Sequence, residues 1–373
     1  MSSKSRQKPI VHAGGDVESA GRPAAPPDDS LDRRKTSILG TVVYEYIATG
    51  EPVGSATLTQ KYNLGISPAT VRHEMATLED GGYLDQPHTS AGRVPSDLGY
   101  RYYVDRLMLP EALSREERDQ IHGEVRRASR QLDSAVAHAS RVLSNLTRNI
   151  AFAIAPRLNS QAFRHIQLIW VAPKTVHIVL VTNLGLAGQA TVEITEDVDQ
   201  DRLSAASNNF NEHFAGVNLS AIALEGLSAV SRSTPLPEPL IRAIAGLVAT
   251  PHDVGSERRL FTDGANNLLD QQEFRDLRKL RAILELMEEQ RTLYELLHQS
   301  LATDGARVSI GKELGEGGLD ECSVVTVPYK VGEFNAGAVG VLGPRRMHYA
   351  RLIALVNCMA DSLNAMFQGE TSA

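Results

Sequence analysis

SPATVRHEMATLEDGGYLDQPHTSAGRVPSD, residues 67–97, carries the most informative local pattern in the chain. Ser67 is a good helix N-cap and Pro68 suits the first helical position, so the pattern predicts a helix that continues to about Asp80. The Gly-Gly pair that follows ends this helix. A short strand (YLDQP), a hairpin loop (HTSAGR) and the start of a return strand (VP) come next.

Two further helices are predicted before this stretch. Apolar residues recur at helical spacing over residues 32–48, TGEPVGS interrupts them, and Ser55 is expected to cap a second helix through about Lys61. Three helices followed by a two-stranded loop is the order of a winged helix-turn-helix, whose last helix enters the major groove of DNA. Residues 31–108 are therefore predicted to be a DNA-binding domain.

The third helix supplies the predicted base contacts. On a helical wheel Val71, Met75 and Leu78 share a core face, and the opposite face carries an arginine among small residues. Arginine can bind guanine through two hydrogen bonds, a threonine methyl can pack on thymine, and a helix N-terminus can hold a phosphate. In the hairpin loop of residues 88–93, here called the wing, small residues would let the backbone approach DNA while an arginine projects from the loop. The predicted DNA-binding residues are Ser67, Ala69, Thr70, Arg72, His73, Thr77, Thr89, Ser90, Gly92 and Arg93.

A solvated surface is the plainer alternative, because every amphipathic helix has a polar face. The cap, the Gly-Gly stop and the wing together favour DNA. The charge of the protein does not favour DNA binding. The chain has a net charge of −7, and residues 30–110 hold eight Lys or Arg against nine Asp or Glu. The DNA contact should therefore be sparse, with Arg33, Arg34 and Lys35 as extra phosphate contacts.

Composition and motifs exclude several other classes. No apolar run approaches the ~18–20 residues of a membrane span, and there is no secretory signal. Cys322 and Cys358 are the only cysteines, which indicates a reducing cytoplasm and neither a disulfide framework nor a structural zinc site. GARVSIGKE has the wrong spacing for a phosphate-binding loop and RHEMA is not a metalloprotease motif. We expect no catalytic residue, no metal and no cofactor.

The rest of the chain alternates between helical and strand patterns. Residues 1–29 are rich in Pro, Gly, Ser and Ala and are predicted to be a disordered tail. Residues 111–150 and 271–300 have helical periodicity. In the second of these, four apolar residues at 3–4–3 spacing favour a core helix: Leu277, Leu280, Leu284 and Met287. Strands are predicted at HIQLIWVA, TVHIVLVT, GQATVEIT, RRLFTDG, RVSIGKEL, CSVVTVPYK and AGAVGVLGP, followed by a last helix at about residues 349–366.

Four segments resemble the heat-inducible transcription repressor (HrcA) family: GEPVGSATL, SPATVRHEMATLEDGGYL, PHTSAGRVPSDLGYRYYVDRLM and GPRRMHY. The resemblance extends over residues 31–368. It implies an α+β fold in which a winged helix-turn-helix (31–108) precedes a helical connector and GAF-like α/β domain (109–195 and 271–368) that carries an inserted dimerisation domain (196–270). His73 departs from the family pattern, in which we expect Asn.

The resemblance also implies what the protein does. A bacterial homodimer would bind an inverted-repeat operator on double-stranded DNA and repress chaperone operons, with the chaperonin maintaining its activity and heat stress abolishing it. Two-fold symmetry is independently expected, because one winged helix reads too few base pairs for genomic specificity.

A small-ligand sensor is the second hypothesis. GKELGEGG and GPRRMHY would then line a pocket in the GAF-like domain, and the winged helix would mediate protein contacts. The alternative is a domain that serves only for interaction and dimerisation. Arg345 and Arg346 fit a surface ion pair as well as they fit an anion site.

Overall fold

The computed structural model describes residues 31–88, 91–128, 132–155, 162–183, 187–222, 227, 235–249, 260–315, 319–331 and 334–368. The predicted tail at 1–29 and the wing residues Thr89 and Ser90 lie outside the described residues. The chain has three parts: the N-terminal unit (31–108), the body (113–155 and 260–368) and the insert (162–249).

The N-terminal unit has the predicted order of elements. It consists of helices α1 (Arg33–Thr49), α2 (Ser55–Lys61) and α3 (Pro68–Asp80), followed by the antiparallel strands β1 (Leu84–Asp85) and β2 (Val94–Pro95). Ser67 caps α3, as predicted, with its hydroxyl accepting the Thr70 N–H at 3.2 Å. The predicted Ser55 cap is wrong, because Gly54 is the residue before α2 and no side chain caps this helix. Ser55 is instead the first helical residue.

The chain enters the body through α4 (Asp97–Tyr102), a single π-helical turn (Tyr103–Leu107) and two helices. The helix predicted over residues 111–150 is divided into α5 (Arg115–Arg127) and α6 (Leu132–Thr147). Ser114 and Glu117 cap each other's backbone at the start of α5, which fixes where this helix begins.

A five-stranded antiparallel sheet forms the centre of the body, in the order β7-β3-β10-β9-β8. Its strands are β3 (Ile150–Ile154), β7 (Leu260–Asp263), β8 (Arg307–Ile310), β9 (Cys322–Val331) and β10 (Phe334–Pro344). Helices α6 and α11 (Tyr349–Gln368) share a core with one face, and α9 (Leu277–Glu289) and α10 (Arg291–Ser300) share a core with the other. Both faces are buried, which explains the nearly continuous apolar runs in these strands.

The insert has its own sheet and its own core. Strands β4 (Phe163–Ala172), β5 (Thr175–Thr182) and β6 (Ala187–Glu193) pair antiparallel in that order, and α7 (Gln200–Phe214) and α8 (Glu238–Ala249) pack on one face. The boundaries predicted for the inserted domain, 196–270, therefore differ from the structure. The three strands before residue 196 share the insert's core, and β7 pairs with β3 of the body.

The helix predicted over residues 271–300 is also interrupted. Gln290 adopts φ 53°, a left-handed conformation that separates α9 from α10. Of the four residues expected to be core, Leu277 and Leu284 are exposed, and Leu280 and Met287 are half-buried. Ile283 and Leu286 carry the buried face instead. Within the described part of the chain, no helix is long and apolar enough to cross a membrane.

Candidate nucleic-acid interface

Helix α3 presents two chemically different faces. Val71, Met75 and Leu78 are buried, as predicted. Thr70 is half-buried, and the other predicted contacts on the opposite side are exposed: Ser67, Ala69, Arg72, His73 and Thr77. No other described residue forms a hydrogen bond or ion pair with the Arg72 side chain, so its guanidinium is available to a ligand.

Glu74 of α3 lies on the buried side of the helix. It is only 8% exposed, and its carboxylate lies 3.4 Å from the Arg34 guanidinium and 3.8 Å from the Lys35 ammonium of α1. Lys35 also binds Asp32 at 2.6 Å, and this hydrogen bond raises the Lys35 pKa while lowering that of Asp32 to about 2. Two of the three expected phosphate contacts are therefore already paired within the protein.

The wing is attached to the rest of the N-terminal unit at its base. Arg93 exchanges two backbone hydrogen bonds of 2.9 Å with Val53. A Cβ added at Gly92 would meet the Val53 carbonyl oxygen at 2.4 Å, so the smallness of this residue has an internal cause. We expected small wing residues to permit close approach to DNA, but at Gly92 the close approach is to the protein's own backbone.

Arg93 does not project freely from the wing, contrary to the prediction. Its guanidinium lies 2.7 Å from the Glu79 carboxylate in the last turns of α3, and its side chain is 19% exposed. Its Nε atom is buried and has no hydrogen-bond partner among the described residues. Arg93 thus ties the wing to α3, because the pairing with Val53 brings its side chain over that helix.

Residues 311–315, the described part of GKELGEGG, and the segment GPRRMHY contact the N-terminal unit. Arg345 binds Asp97 of α4 at 2.6 Å and Glu321 at 2.7 Å, and Arg346 binds Glu273 at 2.6 Å. The ion-pair alternative for these arginines is therefore the one that the structure supports. A surface cavity of about 560 Å³ exists in the insert, but its lining residues belong to neither motif.

The described residues form neither a candidate metal site nor a reactive thiol. No group of three or more His, Cys, Asp or Glu side chains there could hold a metal ion. Cys322 and Cys358 are buried and unpaired with each other, and burial raises the pKa of the Cys322 thiol to about 12. A buried thiol that stays protonated is a packing residue.

Comparison with known proteins identifies the family. Residues 133–353 match the family model described as the HrcA protein C terminal domain. The heat-inducible transcription repressor HrcA of Symbiobacterium thermophilum is 36% identical over 90% of this chain and 98% of that protein, and that of Moorella thermoacetica is 38% identical over 90% and 97%. A crystal structure titled as a hypothetical protein covers 91% of this chain and 100% of its own at a TM-score of 0.56 and 24% identity, which shows a shared fold.

Fold and relatives define a transcription regulator, with mixed helix and sheet and an exposed, well-anchored helix near its N-terminus. The chain belongs to the heat-inducible transcription repressor HrcA family. Its relatives are named as repressors and not as enzymes.

Proposed function

We propose that the N-terminal unit is a winged helix-turn-helix that binds double-stranded operator DNA and thereby represses transcription. The observation that carries this proposal is the exposed face of α3. Arg72 and His73 lie there with small residues on either side, and the opposite face is anchored in the core. A rigid helix with one long donor among short side chains can lie deep in a major groove, where arginine reads guanine.

The contacts to phosphate are few in this proposal. The Ala69 N–H in the first turn of α3 and the exposed Arg33 can hold phosphates, because the Thr70 N–H already donates to the Ser67 hydroxyl. By contrast, Arg34, Lys35 and Arg93 are engaged by carboxylates. Specificity would then depend mainly on base contacts from Ala69, Arg72, His73 and Thr77. This distribution agrees with the negative net charge of the chain.

We also propose that two copies assemble through the insert to read two halves of an inverted repeat. The face of its sheet that α7 and α8 leave uncovered carries Ile169 and Val171, which are 39% and 54% exposed, and Trp170 beside them is 43% exposed. The outer edge of β4 cannot pair with another strand, because Asn211, Ser207 and Gln200 of α7 occupy its backbone groups. The uncovered face around Ile169 and Val171 is therefore the surface that favours a second copy.

The body would be the GAF-like domain, and its loss of packing on heating would release the operator. The regulated genes, by resemblance, are chaperone operons, with the chaperonin restoring the active fold. The competing hypothesis is a ligand-sensing regulator. Lys312 and Arg345, one residue from each predicted pocket motif, bind Asp97 of the N-terminal unit, which favours the first hypothesis.

One binding experiment tests the proposal. A gel-shift compares the full chain on DNA from upstream of its host's chaperonin genes with a scrambled duplex, across a temperature ramp and with or without chaperonin and ATP. We expect binding of the upstream DNA only, loss at heat-shock temperature and recovery with chaperonin. Equal binding of both duplexes would reject sequence-specific repression, and affinity that changes only with added metabolites would favour the ligand sensor.

A further inference from the structure

The N-terminal unit and the body meet at a cluster of charged residues that no DNA contact requires. On the side of α4, Arg101 donates to the Val308 carbonyl at 2.7 Å and to Glu313 at 2.8 Å. The Lys312 N–H donates to Asp97 at 3.2 Å, and Arg345 binds the same carboxylate. The wing thus continues directly into a helix that the body holds by several directional bonds.

A second set of contacts holds α1. The Arg346 guanidinium donates to the Ile47 carbonyl at 3.0 Å and binds Glu273 at 2.6 Å. This carbonyl belongs to the last turn of α1, where helices leave carbonyl groups without partners and favour positive charge. Gly50 follows α1 with φ 71° and lies close to the same guanidinium. A Cβ added at Gly50 would be 3.3 Å from it.

The interface is shaped as well as charged. Gly311 has φ 52°, and a Cβ there would meet the Asp97 carboxylate at 2.4 Å. Tyr100 of α4 and Tyr349 of α11 are both buried with ring centroids 6.0 Å apart. Arg345 and Arg346, which follow β10, thus hold two different helices of the N-terminal unit, α4 and α1. Two separate attachments fix the rotation of the N-terminal unit on the body as well as its distance from it.

We propose that Arg345 and Arg346 are positioning residues for operator recognition, which set the angle of the N-terminal unit on the body and hence the half-site spacing that the dimer accepts. The proposal rests on the proposed DNA-binding function. Neither arginine contacts α3 in the bonds described above, so neither contributes to binding of a single half-site.

The physical reason is effective concentration. Once one half-site is bound, the second N-terminal unit binds its own half-site as an intramolecular event, and this gain is lost if the two units cannot hold the required geometry. Half-sites repeat with the helical turn of DNA, so a unit held at one angle tolerates only one spacing. If the bond between Arg345 and Asp97 were lost, the N-terminal unit would sample several angles on the body. The dimer would then tolerate several half-site spacings, and the gain in affinity at each spacing would be smaller.

The test uses the full chain and DNA that the wild-type protein itself selects from a random pool. The selected half-site is placed alone in a duplex and in inverted repeats whose spacers change by one base pair over about one helical turn, ~10 bp. Arg345→Ala removes the shared guanidinium, and Asp97→Asn removes only the charge of its partner. Arg351→Ala is the matched control, because Arg351 bridges α11 to Glu111 and Glu117 outside the N-terminal unit.

We expect Arg345→Ala and Asp97→Asn to bind the single half-site within about twofold of wild type. On the best spacer they should lose about tenfold or more, with a flattened spacer preference. Arg351→Ala should retain the wild-type profile. An unchanged spacer profile in both variants, equal losses on single and paired half-sites, or tighter binding at every spacer would each overturn the proposal. Failure of wild type to select any sequence would instead reject DNA binding itself, and the positioning role with it.

Discussion

Gly92→Ala tests whether the wing is held by the backbone of Val53. The new Cβ would lie 2.4 Å from the Val53 oxygen, 2.5 Å from its carbonyl carbon and 2.8 Å from that of Pro52, all backbone atoms that cannot rotate away. Because real Cβ contacts stay above 3.0 Å, the two segments must separate by at least 0.6 Å, the difference between 3.0 and 2.4 Å. The two flanking 2.9 Å hydrogen bonds would lengthen by a similar amount.

Overpacking of this kind costs about 1–3 kcal/mol. Since ~1.4 kcal/mol is a factor of ten in an equilibrium, the amide hydrogens of Val53 and Arg93 should exchange roughly 5- to 150-fold faster than in wild type. Hydrogen exchange of the full chain, followed by mass spectrometry on peptides containing these two residues, measures the effect. DNA affinity should fall on all sequences, because the wing is displaced while α3 is intact.

Gly123→Ala is the matched control. Gly123 lies inside α5 with nothing within 4 Å of an added Cβ, so this change should stabilise the helix by about 0.5–1 kcal/mol. It should leave exchange in the wing unchanged. The contrary result is a Gly92→Ala variant that exchanges the Val53 and Arg93 amide hydrogens at the wild-type rate and binds DNA as tightly as wild type. That result would show that the Val53 backbone does not hold the wing.

Three further changes give separate expectations. Arg93→Ala and Glu79→Gln should both weaken binding to specific and random DNA alike in fluorescence anisotropy, because both release the wing from α3; tighter binding by Glu79→Gln would mean that the carboxylate restrains an arginine that contacts DNA. Cys322 should resist iodoacetamide at pH 8 and react after denaturation, because burial raises its pKa to about 12, and rapid native alkylation would contradict its burial. Val171→Asp should convert the proposed dimer to monomer in sedimentation, because it places a charge on the uncovered sheet face; a dimer of unchanged stability would exclude that face.

Local signals in the sequence predicted the N-terminal unit well. The Ser67 cap, the first-turn proline and the Gly-Gly stop act over a few residues, and helix α3 begins and ends where they indicate. The alternating and continuous apolar runs likewise located the strands, because side-chain burial follows the pleat.

What the sequence could not predict depends on distant partners. Arg93 was predicted to project freely because its partners Glu79 and Val53 lie 14 and 40 residues earlier in the chain. Arg34 and Lys35 were predicted to contact phosphate because Glu74, the carboxylate that binds them, lies on a different helix. The boundaries of the insert were missed for the same reason. Strand β7 follows the insert in sequence but pairs with β3, and periodicity carries no information about which strands pair.

In the proposed function, α3 reads bases through Arg72 and His73. Its most direct test is the ratio of affinities for the selected operator and for random DNA, measured by fluorescence anisotropy for wild type, Arg72→Ala and His73→Ala. Each substitution should weaken operator binding by roughly 1–3 kcal/mol, the value of a base-edge contact, and should lower this ratio. Equal losses on operator and random DNA, with the ratio unchanged, would contradict the assignment of α3 to the major groove.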